Sequence, residues 1–331
     1  MTHALFLTSD DLVDLADPSD YVAAVREGYR QRGEGAPAEP RTKLVNGDPP
    51  GMLTGYMAIL PETGAMGGYT YGAGFVERDA WFVTPLFDAE SGEPLAVLDG
   101  AYLNPFKTGA TGALGVDALA REDASTLGLI GSGTQARGQL RAVATVRDLD
   151  SVRVYSTTRE NREEFAREMA NDLGLDVEAV ESSTDAVSGA DIVITATNAS
   201  EPVFDGDLLE PGTHVTAMGR YDAEKHELDA TTVSRAKYVL DLGARADRDA
   251  GSLLAAIEDG TVGPDHVHGE LGEVLVGAVP GRESDEEITV FDSGGTGIET
   301  VAAAHMLYER AREAGLGTEI EFAPASDAMD G

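Results

Sequence analysis

Apolar and polar positions follow two different rhythms along this chain, and the change falls near residue 120. Downstream, apolar runs at 127–130, 152–155, 177–180, 191–196, 214–218, 238–241 and 288–291 have the length and β-branched content of strands. Helical spacing occupies 159–171, with shorter helical pieces at 185–188, 253–258 and 271–276. Buried strands separated by helices predict a doubly wound parallel sheet. Upstream the pattern is different. Ser9-Asp10-Asp11 opens a short capped helix, and Pro18-Ser19-Asp20 opens a second that runs through Tyr21, Val25 and Tyr29 to about Gly33. Residues 41–46, 52–60, 81–87 and 94–98 read as strands, the last two joined by a hairpin connection at 88–93. The glycine-rich stretch 64–74 reads as a loop, either tight turns or a place where a ligand meets backbone. Asn104-Pro105 predicts a helix start with Lys107 and Thr108 in the first turn, and 297–314 is the last helix.

The sharpest chemical signal sits where the rhythm changes. Gly131-Ser-Gly-Thr-Gln-Ala136 follows an apolar strand and precedes a helical pattern carrying Leu140, Val143, Ala144 and Val146 on one face. Strand, glycine turn and helix together make a dinucleotide-binding fingerprint. Gly131 allows the tight turn, Gly133 lets backbone approach a pyrophosphate, and Ala136 allows close helix–strand packing. The helix N-terminus then offers free N–H groups and a positive dipole end. The chain is therefore read as α/β: a Rossmann-type doubly wound parallel sheet domain over 121–297, and a smaller α+β domain over 1–120 with 298–331 for substrate binding and dimerisation.

The acid that grips a ribose 2′-hydroxyl belongs at the end of the second strand, about 20 residues past the glycines. That place reads Tyr155-Ser156-Thr157-Thr158-Arg159, without an acid. Hydroxyls and an arginine suit a 2′-phosphate, so NADP(H) is favoured over NAD(H). A lysine in a first helical turn suits an anion, which singles out Lys107 and Thr108. His214, in an apolar strand with no companion His or Cys cluster, is read as structural, and no metal is expected.

Composition changes the picture in one respect. Lys+Arg 24 against Asp+Glu 59 gives a net charge of −35, with the acids scattered over globular segments. There is no basic run, which excludes a nucleic-acid footprint. Such charge strains the compact state by self-repulsion that salt screens, so a high-salt cytoplasm is expected. The melting temperature should rise with added KCl, and a flat response would overturn that expectation. With Cys 0 there is no disulfide framework. No apolar run spans a membrane and residues 1–11 lack a secretory pattern, so the expected location is cytoplasmic.

Eight stretches appear in a telling order: Pro40-Arg41-Thr42; residues 86–95 with Leu98-Asp-Gly100; Gly131 to Arg137; residues 190–197; residues 211–219; Lys225-His-Glu-Leu-Asp229; residues 270–274; and residues 288–293. In this order they resemble the ornithine cyclodeaminase/mu-crystallin family over nearly the whole chain. The resemblance implies a homodimer built through the N-terminal domain. It also implies hydride transfer between a nicotinamide and the α-carbon of a small amino, imino or 2-oxo acid. By the same resemblance Arg41 holds the substrate carboxylate, for which bidentate pairing is the physical reason. The cofactor positions expected are Thr84, Lys107, Thr108, Gly131, Gly133, Thr134, Gln135, Ala136, Ser156, Thr157, Arg159, Thr197, Met218, Lys225 and Ser293.

Three departures from the family pattern matter. The family's catalytic lysine falls on Tyr69 or Thr70. Its arginine at the domain-crossing helix is Lys107, which keeps the charge and loses the fork. The cyclodeaminase aspartate falls on Tyr221, with Asp222 beside it. Cyclodeamination needs acid–base groups at both changed positions. An amino- or imino-acid oxidoreductase, alanine-dehydrogenase-like or ketimine-reductase-like, needs a carboxylate clamp, a hydride donor and one proton source. Arg41, Lys107, Tyr69, Tyr221 and Asp222 are the candidates for that work. The alternatives are a lyase using Asp222 and an NADP(H)-binding protein that has lost catalysis.

Overall fold

The computed structural model describes residues 1–75, 79–219 and 221–327. The chain divides into two compact units, Met1–Lys107 with Thr296–Gly331, and Thr108–Gly295. The first division falls inside the helix Gly100–Leu119.

The first unit is built on a seven-stranded sheet in the order Thr318–Phe322, Thr2–Leu7, Pro94–Asp99, Ala80–Asp88, Ala65–Ala73, Pro50–Leu60, Thr42–Gly47. Neighbours are antiparallel except Thr2–Leu7 against Pro94–Asp99. Thr2–Leu7 and the edge strand Thr318–Phe322, which the sequence pattern does not predict, pair with each other near the chain ends. The glycine-rich stretch expected to be a loop is instead the strand Ala65–Ala73, in the middle of the sheet. Its glycines serve close approach: a Cβ on Gly67 would stand 2.3 Å from the Pro85 carbonyl oxygen. The helices Pro18–Gly33 and Gly297–Ala314 cover one face. Gly297 is pressed so hard onto Pro50–Leu60 that a Cβ there would meet the Met57 carbonyl carbon at 2.3 Å.

The expected helix start at Asn104-Pro105 is also corrected. The helix begins at Gly100, where the Asp99 carboxylate accepts from the Ala101 N–H at 3.1 Å, and Pro105 lies inside it. With no N–H, Pro105 leaves the Ala101 carbonyl without its helical donor. Lys107 and Thr108 consequently stand in the third turn, where backbone N–H groups are already used.

The second unit has eight strands, all parallel, in the order Val267–Glu270, Ala236–Leu240, Ile288–Asp292, His214–Ala217, Ile192–Thr195, Thr126–Ile130, Ser151–Tyr155, Val177–Ala179. This is the doubly wound sheet the apolar runs predict. The order turns back beside Thr126–Ile130, placing the glycine turn at the switch point where such sheets bind ligands. No helix among the described residues is long and apolar enough to cross a membrane.

His214 sits wholly inside this sheet, its ring nitrogens 2.9 Å from the hydroxyls of Thr289 and Thr216. Burial, with Arg282 and Arg147 adding to it, holds its pKa down at about 3. A base whose folded pKa lies below its unfolded value stabilises the fold above that unfolded value, about 6.5, and the contribution declines as the pH falls toward 3. His214→Gln keeps hydrogen-bonding capacity without the titration. Its urea-unfolding free energy should fall less steeply than the wild type's between pH 7.5 and 5.5, and equal slopes would refute this role.

Candidate active site

In the first unit two cations gather on one aromatic ring. Tyr56 from Pro50–Leu60 and Tyr69 from Ala65–Ala73 are directly paired residues on neighbouring strands, and both point to the covered face. Tyr71 and Phe82 complete the cluster, with the Tyr69 and Phe82 rings stacked at 5.0 Å. The Arg41 guanidinium carbon stands 4.6 Å above the Tyr56 centroid, and one terminal nitrogen donates to the Tyr71 hydroxyl at 2.6 Å. The Lys107 ammonium lies 5.7 Å from the same Tyr56 centroid and 5.1 Å from that of Tyr69. Each ring face attracts a cation electrostatically.

Lys107 is 1% exposed and donates to the Glu299 carboxylate at 2.9 Å. Burial works against its charge, but Glu299 and Tyr56 outweigh it, and its pKa is held above the ordinary lysine value. Glu299 also accepts from the hydroxyls of Tyr29 at 3.0 Å and Thr296 at 3.1 Å. Its placement follows from the tight seat of Gly297 two residues earlier. The expected role of Lys107 in binding the cofactor gives way to this pairing, since the ammonium is enclosed within the first unit. Tyr69, another candidate, donates its hydroxyl to the Gly100 carbonyl at 3.0 Å, and burial pushes its pKa up. Thr84 is wholly buried, its hydroxyl without a partner among the described residues.

In the second unit the glycine turn has the shape the fingerprint requires. Gly131 has φ +120°, and a Cβ there would stand 2.4 Å from the Ala196 carbonyl oxygen. Gly133 has open space where a Cβ would be, and as N-cap of Thr134–Val143 it lends no side chain to the first N–H groups. The buried side-chain oxygen of Gln135 has no partner among the described residues. A pyrophosphate fits this cradle: bare N–H groups at a helix start and room above a glycine. Ala136 is wholly buried.

At the end of Ser151–Tyr155, the Ser156 hydroxyl accepts from Ser132 at 2.9 Å, joining the second strand's end to the turn. Thr157 and Arg159 are exposed beside it, and Arg159 bonds Glu163 at 2.7 Å. Arg162, which sequence reasoning passed over, donates to the Ser156 carbonyl at 3.0 Å from under the Tyr155 ring.

The central strand ends are tied by a residue also missed. Glu227 is buried and accepts from the Thr195 hydroxyl, from the Thr197 hydroxyl and N–H, and from the Gly219 N–H, all between 2.6 and 3.0 Å. Burial pushes its carboxyl above the usual range against those four bonds. Thr197 thus has its hydroxyl engaged by protein, and Met218 is buried beside it. Ser293 donates to Asp241 at 2.8 Å, and the same carboxylate oxygen accepts the N–H groups of Gly294 and Gly295. Asp241 is held in turn by the fully buried Arg245. Lys225 bridges Asp222 through the backbone, and the Asp222 carboxylate accepts from the Glu224 N–H at 3.1 Å. Tyr221 is half-buried. Thr108 gives its carbonyl to Gln139 at 2.8 Å. The structure therefore gathers Arg41, Tyr69, Lys107 and Thr84 in the first unit. In the second it gathers the turn with Ser156 to Arg159, and separately Thr197, Met218 and Ser293 at strand ends.

The sequence matches the model of a family described as the ornithine cyclodeaminase/mu-crystallin family over residues 19–315. A Bacillus cereus protein named Delta(1)-pyrroline-2-carboxylate reductase is 39% identical over 241 residues, 72% of this chain and 74% of that protein. Two solved structures superpose closely. The Delta(1)-pyrroline-2-carboxylate reductase of Thermococcus litoralis in complex with NADH and L-proline has a TM-score of 0.91 at 32% identity, covering 96% of this chain and 100% of that one. An archaeal alanine dehydrogenase dimer with bound NAD has a TM-score of 0.90 at 33% identity, covering 97% and 100%.

Proposed function

This chain belongs to the ornithine cyclodeaminase/mu-crystallin family, and on that premise we propose that it is a nicotinamide-dependent oxidoreductase of small amino or imino acids. The observation that carries the reading is the convergence of Arg41 and Lys107 on the Tyr56 ring in a protein of net charge −35. Two cations kept together amid such an excess of acid suit a small anion, and a planar guanidinium suits a carboxylate. Bound at the glycine turn, the nicotinamide cofactor supplies or takes the hydride at the α-carbon. Arg41 fixes the carboxylate, the three tyrosines and Phe82 keep water from the reacting end, and Glu299 fixes the Lys107 ammonium beside Tyr56.

The ring-closing lyase reading is weaker, because Tyr69 or Thr70 stands at the family's lysine and the Tyr69 proton is committed to Gly100. We place the 2′-phosphate of NADP(H) at Ser156, Thr157 and Arg159, whose guanidinium would turn from Glu163 to the phosphate. The partner is a second copy of the chain. Leu53, Met57, Trp81 and Val83, each 50–73% exposed, form an apolar patch on the first unit's sheet that a second copy would cover. Sedimentation in molar KCl should give a dimer.

The test of function is direct. Purified protein in molar KCl should oxidise NADPH, and NADH with a higher KM, in the presence of a cyclic imino acid or of pyruvate with ammonia. Cofactor binding without turnover across that panel would leave a binding protein. Ammonia release from ornithine without net NADPH change would return the lyase reading. A lower KM for NADH would move the cofactor assignment to NAD(H).

A further inference from the structure

Three tyrosines meet at the two cations, and their hydroxyls have different partners. The Tyr69 hydroxyl spends its proton on the Gly100 carbonyl, and the Tyr71 oxygen accepts from Arg41. The Tyr56 oxygen accepts from the Lys107 ammonium at 3.5 Å, and among the described residues nothing accepts the Tyr56 proton. A hydroxyl whose lone pair faces a buried ammonium must aim its own proton elsewhere. The Arg41 guanidinium lies over the same ring, so a carboxylate held by Arg41 brings the adjoining α-carbon and nitrogen to the Tyr56 side.

We infer that Tyr56 is the catalytic proton donor to the substrate nitrogen. The inference rests on the proposed oxidoreductase reading. In the reducing direction a hydride adds to the imine carbon and the C=N π pair moves to nitrogen. That nitrogen forms its new N–H bond with the Tyr56 proton, while the reduced nicotinamide becomes oxidised. The phenolate left behind faces the Lys107 ammonium, which compensates its charge until a proton from solvent restores the hydroxyl after product leaves. Glu299 holds that ammonium in place, with the hydroxyls of Tyr29 and Thr296 fixing the carboxylate. In this chain the lysine approaches from the helix Gly100–Leu119 and acts through a tyrosine.

Tyr56→Phe keeps the ring under Arg41 and removes only the hydroxyl. For a neutral cyclic imino acid, kcat should fall by about 10²–10⁴-fold, the range for losing a general acid, with KM changed less than about threefold. For the N-methyl iminium analogue, which needs no proton at nitrogen, the variant should stay within about threefold of wild type. A merely structural role would lower both rates together and overturn the inference. A second readout needs neither cofactor nor turnover. Calorimetry on the cofactor-free protein should show pyridine-2-carboxylate, whose ring nitrogen accepts a hydrogen bond, binding about tenfold tighter than benzoate, and Tyr56→Phe should erase that preference. If the variant fails to fold, equal wild-type affinities for the two carboxylates overturn the inference. A wild type that reduces neither substrate while binding NADPH brings down the oxidoreductase reading itself, and this inference with it.

Discussion

Arg41→Ala is expected to lower kcat/KM for the amino or imino acid by about 100-fold, the effect of removing a charge-assisted carboxylate contact. Most of the loss should appear in KM, because the carboxylate is held equally before and during hydride transfer. Cofactor affinity should be unchanged, since the guanidinium stacks on Tyr56 and bonds Tyr71 in the first unit. Arg41→Lys should recover only part of the loss. A single ammonium restores the charge but cannot present two parallel N–H groups to a carboxylate. Steady-state kinetics and NADPH fluorescence titration measure the two quantities. An unchanged KM in Arg41→Ala would remove the clamp from the account.

Lys107→Met should be the most destabilising substitution in the first unit. It leaves the Glu299 carboxylate buried with its ammonium gone, a change worth roughly 3–5 kcal/mol. That corresponds to a melting temperature lower by about 10 °C. The two hydroxyls that still reach Glu299 cannot replace a full charge. Lys107→Met combined with Glu299→Gln should recover most of the stability, because a buried pair replaced by neutral groups is often close to neutral overall. The wild-type pair also predicts an alkaline limit. A lysine whose folded pKa is raised contributes its full stability below the ordinary value of 10.5 and loses it as the pH climbs through the raised one. Urea unfolding at pH 8 and at pH 11 should show that decline in the wild type and not in the double variant. A single variant as stable as wild type would mean the pair contributes nothing.

The parallel sheet and the glycine turn were both legible in the sequence for one reason: each is a local pattern. An apolar run such as 192–195 can satisfy itself only by burial on both faces, Gly131 announces a backbone shape that other residues resist, and Gly133 announces open room at the helix start. Ala65–Ala73 was misread because glycine signals a turn and also signals close strand approach. The neighbour that decides between them, Pro85, lies far along the chain. The start of the helix Gly100–Leu119 was misplaced for a related reason. Pro105 is a good first residue of a helix in isolation, whereas Asp99 starts this one earlier by capping Ala101.

What the linear chain determined alone is therefore the cofactor elbow, the alternation of strand and helix, the acid excess and the identity of Arg41 as a candidate clamp. What only tertiary structure decided is the company each side chain keeps. Lys107 reads as an exposed cation at a helix start, and becomes a buried one because Glu299, 192 residues later, is carried to it by a helix seated on Gly297. Tyr56 reads as one aromatic in a strand, and acquires a role because its strand partner, Arg41 and Lys107 close around it. Charges and hydroxyls take their chemistry from neighbours within a few ångströms, and such neighbours are chosen by packing across the whole chain.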